Sequence, residues 1–174
     1  MTEAPPRPRT HRYAIELRWT GDDGVGTRDY RSYRRDHVVR VPGKPDLPGS
    51  ADPTFRGDRS RYNPEELLVA SLAACHMLWY LHLCAVNGVV VVAYEDAPEG
   101  TMEETPDGGG RFTGVTLRPR VAIASGDPAR ALELHGLAHR RCFVASSVNF
   151  PVRHEPVVAP AGAPAAPSGL GTKS

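Results

Sequence analysis

Residues 63–84 read NPEELLVASLAACHMLWYLHLC, and this stretch predicts a long buried helix around which the rest of the chain is organised. Asn63 is a good N-cap residue, and Pro64 fits the first helical position. The two glutamates that follow favour the positive end of the helix dipole. The pair Asn87-Gly88 predicts the end of the helix.

The same helix has the length and composition of a membrane span. Residues 67–86 contain no Lys, Arg, Asp or Glu over a length that would cross a bilayer. Against this, the segment contains His76 and His82, lacks a basic flank and stands among amphipathic strands. A helix that is apolar all round also suits the buried axis of a globular protein. We therefore expect no membrane association.

The order of the remaining segments predicts an α+β fold. Tyr13–Trp19 alternates apolar and polar residues, as a half-buried strand does. The later segments are one or two strands (28–41), a long Pro/Gly-rich loop (41–62), a strand (89–96), an acidic Gly-rich connection (97–110), one long or two short strands (111–124), a helix (128–148) and a closing edge strand (149–158). This order favours an antiparallel sheet wrapped around two central helices.

Composition narrows the class of protein. The chain has 21 basic and 20 acidic residues, so it lacks the basic excess typical of nucleic-acid binding. Its three cysteines do not form a disulfide framework and suit a reducing compartment, and residues 1–10 lack the apolar segment of a signal peptide. We therefore expect a cytoplasmic protein. Its folded domain should span 11–157, between a disordered N-terminal segment (1–10) and a disordered Ala/Pro/Gly-rich tail (158–174).

Helix geometry constrains what the thiols can do. Cys75 and Cys84 lie on opposite sides of the helix, ~13 Å apart along its axis, so they cannot bond to each other. Cys142 is the intrachain partner available to either, although all three cysteines could equally be small core residues. Glu65 lies ~15 Å upstream of Cys75 on the same helix. If the two share a site, a second chain in a symmetric dimer would have to supply the carboxylate.

Two separated motifs resemble the OsmC/Ohr family of organic hydroperoxide reductases. The first is NPEELLVASLAAC at residues 63–75, and the second is AHRRCFVASSVNFPV at residues 138–152. The order of the intervening elements agrees as well, so the resemblance covers about residues 12–157. It implies an intertwined homodimer with strands wrapped around two central helices and active sites at the dimer interface.

The resemblance also implies thiol peroxidase chemistry without a cofactor or a metal. Cys75 resembles the peroxidatic cysteine, which becomes a sulfenic acid when it reduces an organic hydroperoxide. Cys142 resembles the resolving cysteine, which forms a disulfide with it. An external dithiol, such as a lipoylated protein, then restores the thiols. Many members have a proline directly after the second cysteine, where this chain has Phe143.

The family pattern further implies that Glu65 orients an arginine that stabilises the thiolate. Arg56 is the first choice for that arginine, and the alternatives are Arg28, Arg35 and Arg61. An apolar lining would favour organic substrates over hydrogen peroxide. The residues that could form it, all of them equally suited to the core, are Leu72, Met77, Leu78, Trp79 and Phe143.

Two other functions fit the same residues. His135 and His139 are four residues apart on the second predicted helix, with Cys142 one turn further, a spacing that could bind zinc on one helical face. His76 follows Cys75 but points about 100° away around the helix, so it is a poor base for that thiol. The chain could also be a non-catalytic dimer that binds an apolar ligand or senses oxidants.

Overall fold

The computed structural model describes residues 9–162 as two compact units, one ending at Glu65 and the other beginning at Glu66. Most of the predicted disordered N-terminal segment and most of the predicted tail lie outside the described residues. At the C-terminal boundary a strand runs on to Pro160, so the folded chain extends past the predicted limit at residue 157.

The first unit contains a three-stranded antiparallel sheet in the order β1 (Glu16–Trp19), β2 (His37–Arg40) and β3 (Leu47–Gly49). The prediction of a half-buried first strand was wrong, because every residue of β1 is exposed. Pairing with β2 satisfies one side of its backbone, and its apolar side chains remain open in the single chain: Leu17 is 65% and Trp19 42% exposed.

The predicted long loop is ordered by polar contacts and contains β3 and a short 3₁₀ turn at Pro53–Phe55. Asp36 is buried, and its carboxylate accepts a hydrogen bond of 3.2 Å from the Ser50 hydroxyl. The Ser50 hydroxyl accepts a further bond of 3.0 Å from the backbone amide of Asp58. These contacts hold the loop against the sheet, which explains why a segment rich in proline and glycine keeps one conformation.

The long helix, α1, runs from Pro64 to Val86, which confirms the predicted bounds. Gly88 follows it with a φ of 72°, and the amide of Val89 donates to the carbonyl of Cys84 at 3.0 Å. This is a C-terminal cap that glycine favours, since other residues are strained at positive φ. Among the described residues, α1 is also the helix that could cross a membrane by length and composition, and 28% of its most apolar window is buried in the single chain.

The second helix, α2, runs from Pro128 to Arg141 and is shorter than predicted. Asp127 caps its first turn by accepting a bond from the amide of Ala129. Cys142 adopts an extended conformation and is the C-terminal cap residue, so it lies outside the helix. The chain then makes a 3₁₀ turn at Ala145–Ser147.

Two three-stranded sheets complete the second unit, and both are mixed. One has the order β4 (Val90–Asp96), β7 (Pro119–Ser125), β9 (Val157–Pro160), and the other has the order β5 (Glu99–Glu104), β6 (Gly110–Leu117), β8 (Val152–His154). The prediction of an antiparallel sheet was therefore only partly right, because β8 and β9 pair in parallel with β6 and β7. The strand β5 was missed because its residues are all exposed and mostly polar.

The core of this unit consists of two apolar clusters, and α1 contributes to both. In the larger cluster, α1 and α2 pack with β4 and β7; its buried members are Tyr80, Leu83, Cys84, Val89, Val121, Ile123, Ala131, Leu134 and Ala138. The smaller cluster joins Leu72 of α1 to Val115 and Leu117 of β6. The helix α1 is thus the shared axis of the unit, and Cys75 lies on it between the levels of the two clusters.

Candidate active site

The structure brings the thiols of Cys75 and Cys142 together. Cys75 is half-buried in the middle of α1, and Cys142 is 1% exposed at the end of α2. Both cysteines are free, and the Cys75 thiol is near enough to Cys142 to raise the pKa of that thiol. Of the two pairings that helix geometry left open, the fold therefore favours Cys75 with Cys142.

The environments of the cysteines differ. Burial raises the pKa of Cys142 to about 11, the Ala145 amide opposes the increase, and the Cys75 thiol adds to it. The Ala145 amide donates to the Cys142 sulfur at 3.4 Å. Burial also raises the pKa of Cys84, which is part of the larger apolar cluster beside Tyr80. Cys142 is therefore a protonated thiol at neutral pH, and Cys84 acts as a core residue.

Aromatic side chains lie beside the thiol pair. Trp79 is one helical turn after Cys75, and its ring meets the ring of Phe143 edge-on at a centroid distance of 5.6 Å. The Arg141 guanidinium lies 5.7 Å from the centre of the same indole ring. Phe143 is 72% exposed, whereas Leu72, another candidate lining residue, is completely buried in the core. The described site thus includes an exposed phenyl ring, a half-buried indole and a cation.

Glu65 and the candidate arginines lie in the first unit, where each can be described locally. Arg56 is exposed, has a left-handed φ of 64°, and forms no ion pair with Glu65 in the described part of the chain. Arg61 pairs with Asp58 at 3.3 Å and, more loosely, with Asp36 at 3.8 Å. Which arginine meets Cys75 stays a prediction, as does the role of Glu65.

The other two candidate arginines, Arg35 and Arg28, differ in the contacts that their side chains make. Arg35 lies over the rings of Tyr30 and Tyr33, with its guanidinium carbon 4.3 and 4.1 Å from their centres. It also donates to the backbone carbonyl of Tyr30 at 2.7 Å. Arg28 is exposed and, within residues 9–162, makes no ion pair. Arg35 is therefore already committed to local contacts, whereas Arg28, like Arg56, is open to another partner.

A histidine cluster includes the residue that follows Cys75. It is defined here as His76, His135, His139 and His154, of which the first two are buried and the last two half-buried. A hydrogen bond of 3.0 Å joins His76 Nε2 to His135 Nδ1, and the two rings are nearly parallel. The ring of His154 lies 5.6 Å from that of His76 and 5.3 Å from that of His139. Each of the four rings has a buried nitrogen without a hydrogen-bond partner.

Burial keeps His76 and His135 neutral near pH 7. It lowers the pKa of His76 to about 4, with help from the imidazoles of His154 and His139. It lowers the pKa of His135 to about 3, with help from His76 and His154. The zinc alternative finds no support here, because in residues 9–162 no three His, Cys, Asp or Glu side chains are placed to hold a metal ion. His135 instead bonds to His76.

A separate groove of about 350 Å³ lies between the end of α1 and β4. Its lining is mostly apolar and consists of Leu81, Cys84, Ala85, Gly88, Val89, Val90 and Val91. Neither Cys75 nor Cys142 contributes to it. The groove is therefore distinct from the thiol pair.

Comparison with known proteins agrees with the two motifs. The OsmC-like protein family matches residues 57–156, a segment that contains both Cys75 and Cys142. The chain belongs to the OsmC-like family. An OsmC-like protein of unknown function from Vibrio cholerae is 30% identical, with a TM-score of 0.77 over 85% of this chain and 100% of that one.

Two organic hydroperoxide resistance proteins share the OsmC-like fold at lower identity. The Legionella pneumophila protein is 21% identical, with a TM-score of 0.60 over 86% of this chain and 99% of that one. OhrB of Bacillus subtilis is 22% identical, with a TM-score of 0.55 over 83% of this chain and 98% of that one. No curated protein matches the sequence.

Sequence reasoning missed most of the histidine cluster. It considered the His135 and His139 spacing as a metal site and treated His76 only as a base for Cys75. The connection between His76 and His135 depends on how α1 packs against α2, which spacing along one helix does not reveal. A signal was nevertheless present, since five of the seven histidines of the chain occur in the segments 63–84, 128–148 and 149–158, which carry or follow the two cysteines.

Proposed function

We propose that the protein is a thiol-dependent peroxidase that reduces organic hydroperoxides to alcohols. The observation that carries this proposal is the proximity of Cys75 and Cys142, which are distant in sequence and neighbours in the fold. Membership of a family that includes organic hydroperoxide resistance proteins supports the substrate class. The Trp79–Phe143 pair beside the thiols supports an apolar substituent on the substrate.

The reaction balances with these two thiols and an external dithiol. The Cys75 thiolate attacks the O–O bond of ROOH, so Cys75 becomes a sulfenic acid and the departing alkoxide takes a proton to give ROH. The Cys142 thiol then displaces the sulfenic hydroxyl, which forms a disulfide and releases water. Two exchange steps with the external dithiol return both cysteines to thiols and oxidise the dithiol to its disulfide.

The two cysteines are suited to different steps. With its pKa raised to about 11, Cys142 is protonated at neutral pH and is a poor first nucleophile. Cys75 is more accessible and lies beside the Trp79–Phe143 pair, where a hydroperoxide can approach. These environments support Cys75 as the peroxidatic residue and Cys142 as the resolving residue.

A homodimer is part of this proposal. The apolar side of β1 is exposed in the single chain, and so are Leu78 and Val86 of α1, at 63% and 64%. Exposed apolar surface of this extent is typical of a face that another chain covers. Glu65 cannot reach Cys75 along an unbroken helix, so in this proposal a second copy supplies the carboxylate and its arginine, Arg56 being the first choice.

The test is consumption of cumene hydroperoxide or tert-butyl hydroperoxide with dihydrolipoamide as the dithiol. Cys75→Ser should abolish turnover, because the sulfur that attacks the O–O bond is gone. Cys84→Ser is the matched control on the same helix and should retain activity. Wild-type turnover by the Cys75 variant would exclude the proposal and favour a non-catalytic ligand-binding or redox-sensing protein.

A second experiment tests the division of roles. One equivalent of hydroperoxide should form a disulfide between Cys75 and Cys142 within one chain, identified by peptide mass spectrometry. In Cys142→Ser, the same treatment should leave Cys75 as a sulfenic acid that a dimedone probe traps. A bridge that contains Cys84 would contradict the assignment.

A cytoplasmic location remains part of the proposal and is checked by cell fractionation.

A further inference from the structure

The feature that the proposed reaction leaves unexplained is the buried bond between His76 and His135. Both side chains are buried, at 1% and 0% exposure, and their nitrogens are 3.0 Å apart. His76 is the residue after Cys75 on α1. His135 is on α2, whose end places Cys142. The bond therefore connects the helix that carries Cys75 with the helix whose end places Cys142.

The ring of His135 is held from two sides by residues of α1. Its plane stacks on Tyr80, with a centroid distance of 3.7 Å and an interplanar angle of 12°. His76 and Tyr80 are four residues apart and so lie on the same face of α1, one turn from each other. Together they define both the rotation and the axial position of α2 at the level of His135.

A polar contact at this place selects one arrangement of the helices more strictly than apolar packing would. Leaving a buried donor or acceptor unpaired costs free energy, so a small slide of α2 that broke the bond would be penalised. Apolar side chains of similar size tolerate such a slide with little loss, because dispersion and burial are not directional. The second nitrogen of each ring could not replace the lost bond, because it is buried and has no hydrogen-bond partner.

Disulfide formation is sensitive to such a slide. Bonded cysteines have Cα atoms about 4.4–6.8 Å apart, and one residue of helix corresponds to ~1.5 Å along the axis. Cys142 follows α2 directly, with its amide bonded to the carbonyl of His139 at 3.2 Å. Any displacement of α2 therefore moves the Cys142 sulfur relative to Cys75.

We infer that the His76–His135 pair is a positioning element, which holds α2 in the register at which Cys142 can form a disulfide with Cys75. The imidazoles do not touch the reacting atoms. By holding α2 in place, the two imidazoles set the effective concentration of the Cys142 thiol relative to the Cys75 thiol. This inference rests on the proposed function for its biological role, but its test does not use a hydroperoxide.

The experiment measures the equilibrium of the Cys75–Cys142 disulfide in glutathione redox buffers, with the bridge assigned by peptide mass spectrometry. The double variant His76→Leu/His135→Leu replaces both partners by apolar groups, a change that can leave stability nearly intact. We expect its effective thiol concentration to fall about tenfold, the equivalent of about 1.4 kcal/mol. The single variants His76→Gln and His135→Asn keep a polar atom near the bonding nitrogen and should stay within about threefold of the wild type.

A destabilised core alone should not reproduce this result. Leu134→Ala removes a buried side chain next to His135 on α2 without touching the pair, and it should lower stability while leaving the effective concentration unchanged. The inference is overturned if the double variant keeps the wild-type value or if Leu134→Ala lowers it equally. If the double variant does not fold, the amide variants decide: a tenfold loss in both, at wild-type stability, overturns it as well.

The two proposals fail separately. Wild-type protein that forms the Cys75–Cys142 disulfide in glutathione but consumes no hydroperoxide would refute the peroxidase and leave the positioning role intact. Wild-type protein that does not form this disulfide would refute the positioning role, whatever its activity.

Discussion

Acid should destabilise this protein through its buried histidines, and the structure supplies the size of the effect. In the unfolded chain a histidine has a pKa near 6.5, whereas burial lowers the pKa of His76 to about 4 and that of His135 to about 3. Each side chain therefore binds a proton more readily when the chain is unfolded. The associated stability is fully present above about pH 6.5 and is lost as the pH falls toward the folded-state values.

The expected loss follows from these values. For a group with a pKa of about 4 when folded and 6.5 when unfolded, the free energy of unfolding falls by about 2 kcal/mol between pH 7 and pH 4.5. In the steep part of this range each histidine contributes a slope of about 1.4 kcal/mol per pH unit. His154, whose pKa burial also lowers, adds to the same trend, and His139 and Tyr80 are the other titratable groups facing the pair.

The perturbation is His135→Asn, which keeps a polar group on α2 and removes one titrating side chain. The assay is urea unfolding in half-unit steps from about pH 7 to about pH 4.5 at one protein concentration. The slope of the free energy of unfolding against pH should decrease by about 1.4 kcal/mol per pH unit. Leu132→Asn, an exposed substitution on the same helix, is the control and should leave the slope unchanged.

The slope is the decisive quantity, since the variant can lose stability at every pH for reasons of packing. A variant with the wild-type slope would show that His135 does not stay neutral in the folded protein, and the reasoning from burial would be refuted. A wild-type protein whose stability does not change over this range would refute it for the whole cluster.

Three smaller changes test the fold itself by urea unfolding. Leu72→Ala, in the smaller core cluster, should lower the free energy of unfolding by about 3 kcal/mol, and an effect below that of the half-exposed Leu132→Ala would contradict its core position. Gly88→Ala should cost about 1 kcal/mol because φ at this position is positive, and an unchanged midpoint would argue against the described cap. Asp127→Ala should cost about 1 kcal/mol through loss of the α2 N-cap, and Asp127→Ser should restore most of that loss.

The helix that organises the fold could be predicted closely from the sequence. Asn63, Pro64 and the Asn87-Gly88 pair are local signals, and α1 begins and ends where they indicate. The strands of the second unit were found where β-branched residues are dense, as in residues 90–96. The strand β5 was not, because a solvated polar strand carries no periodicity of burial and depends on its neighbour β6 for its existence.

Part of the candidate site could also be predicted from local sequence signals. Cys75 and Cys142 could be paired from their motifs, and their proximity in the fold agrees. The sequence predicted the end of α2 too far along the chain. The helix ends because the backbone of Cys142 is extended, and a cysteine side chain gives no local signal for that conformation. The histidine bond could not be predicted because it depends on the packing of two helices, a long-range property that no local pattern encodes.

The parallel pairing of the last two strands has a consequence for the order of folding. The strands β6 and β7 are separated in the chain by Arg118 alone. Each of their sheets is complete only when a strand from residues 152–160 has paired with it. When Cys75 and Cys142 have both left the ribosome during synthesis, each of these sheets therefore still has one unpaired edge. Residues 152–160 complete both sheets, so the two thiols lie in a finished scaffold only after this segment, which follows both of them in the chain, has been made.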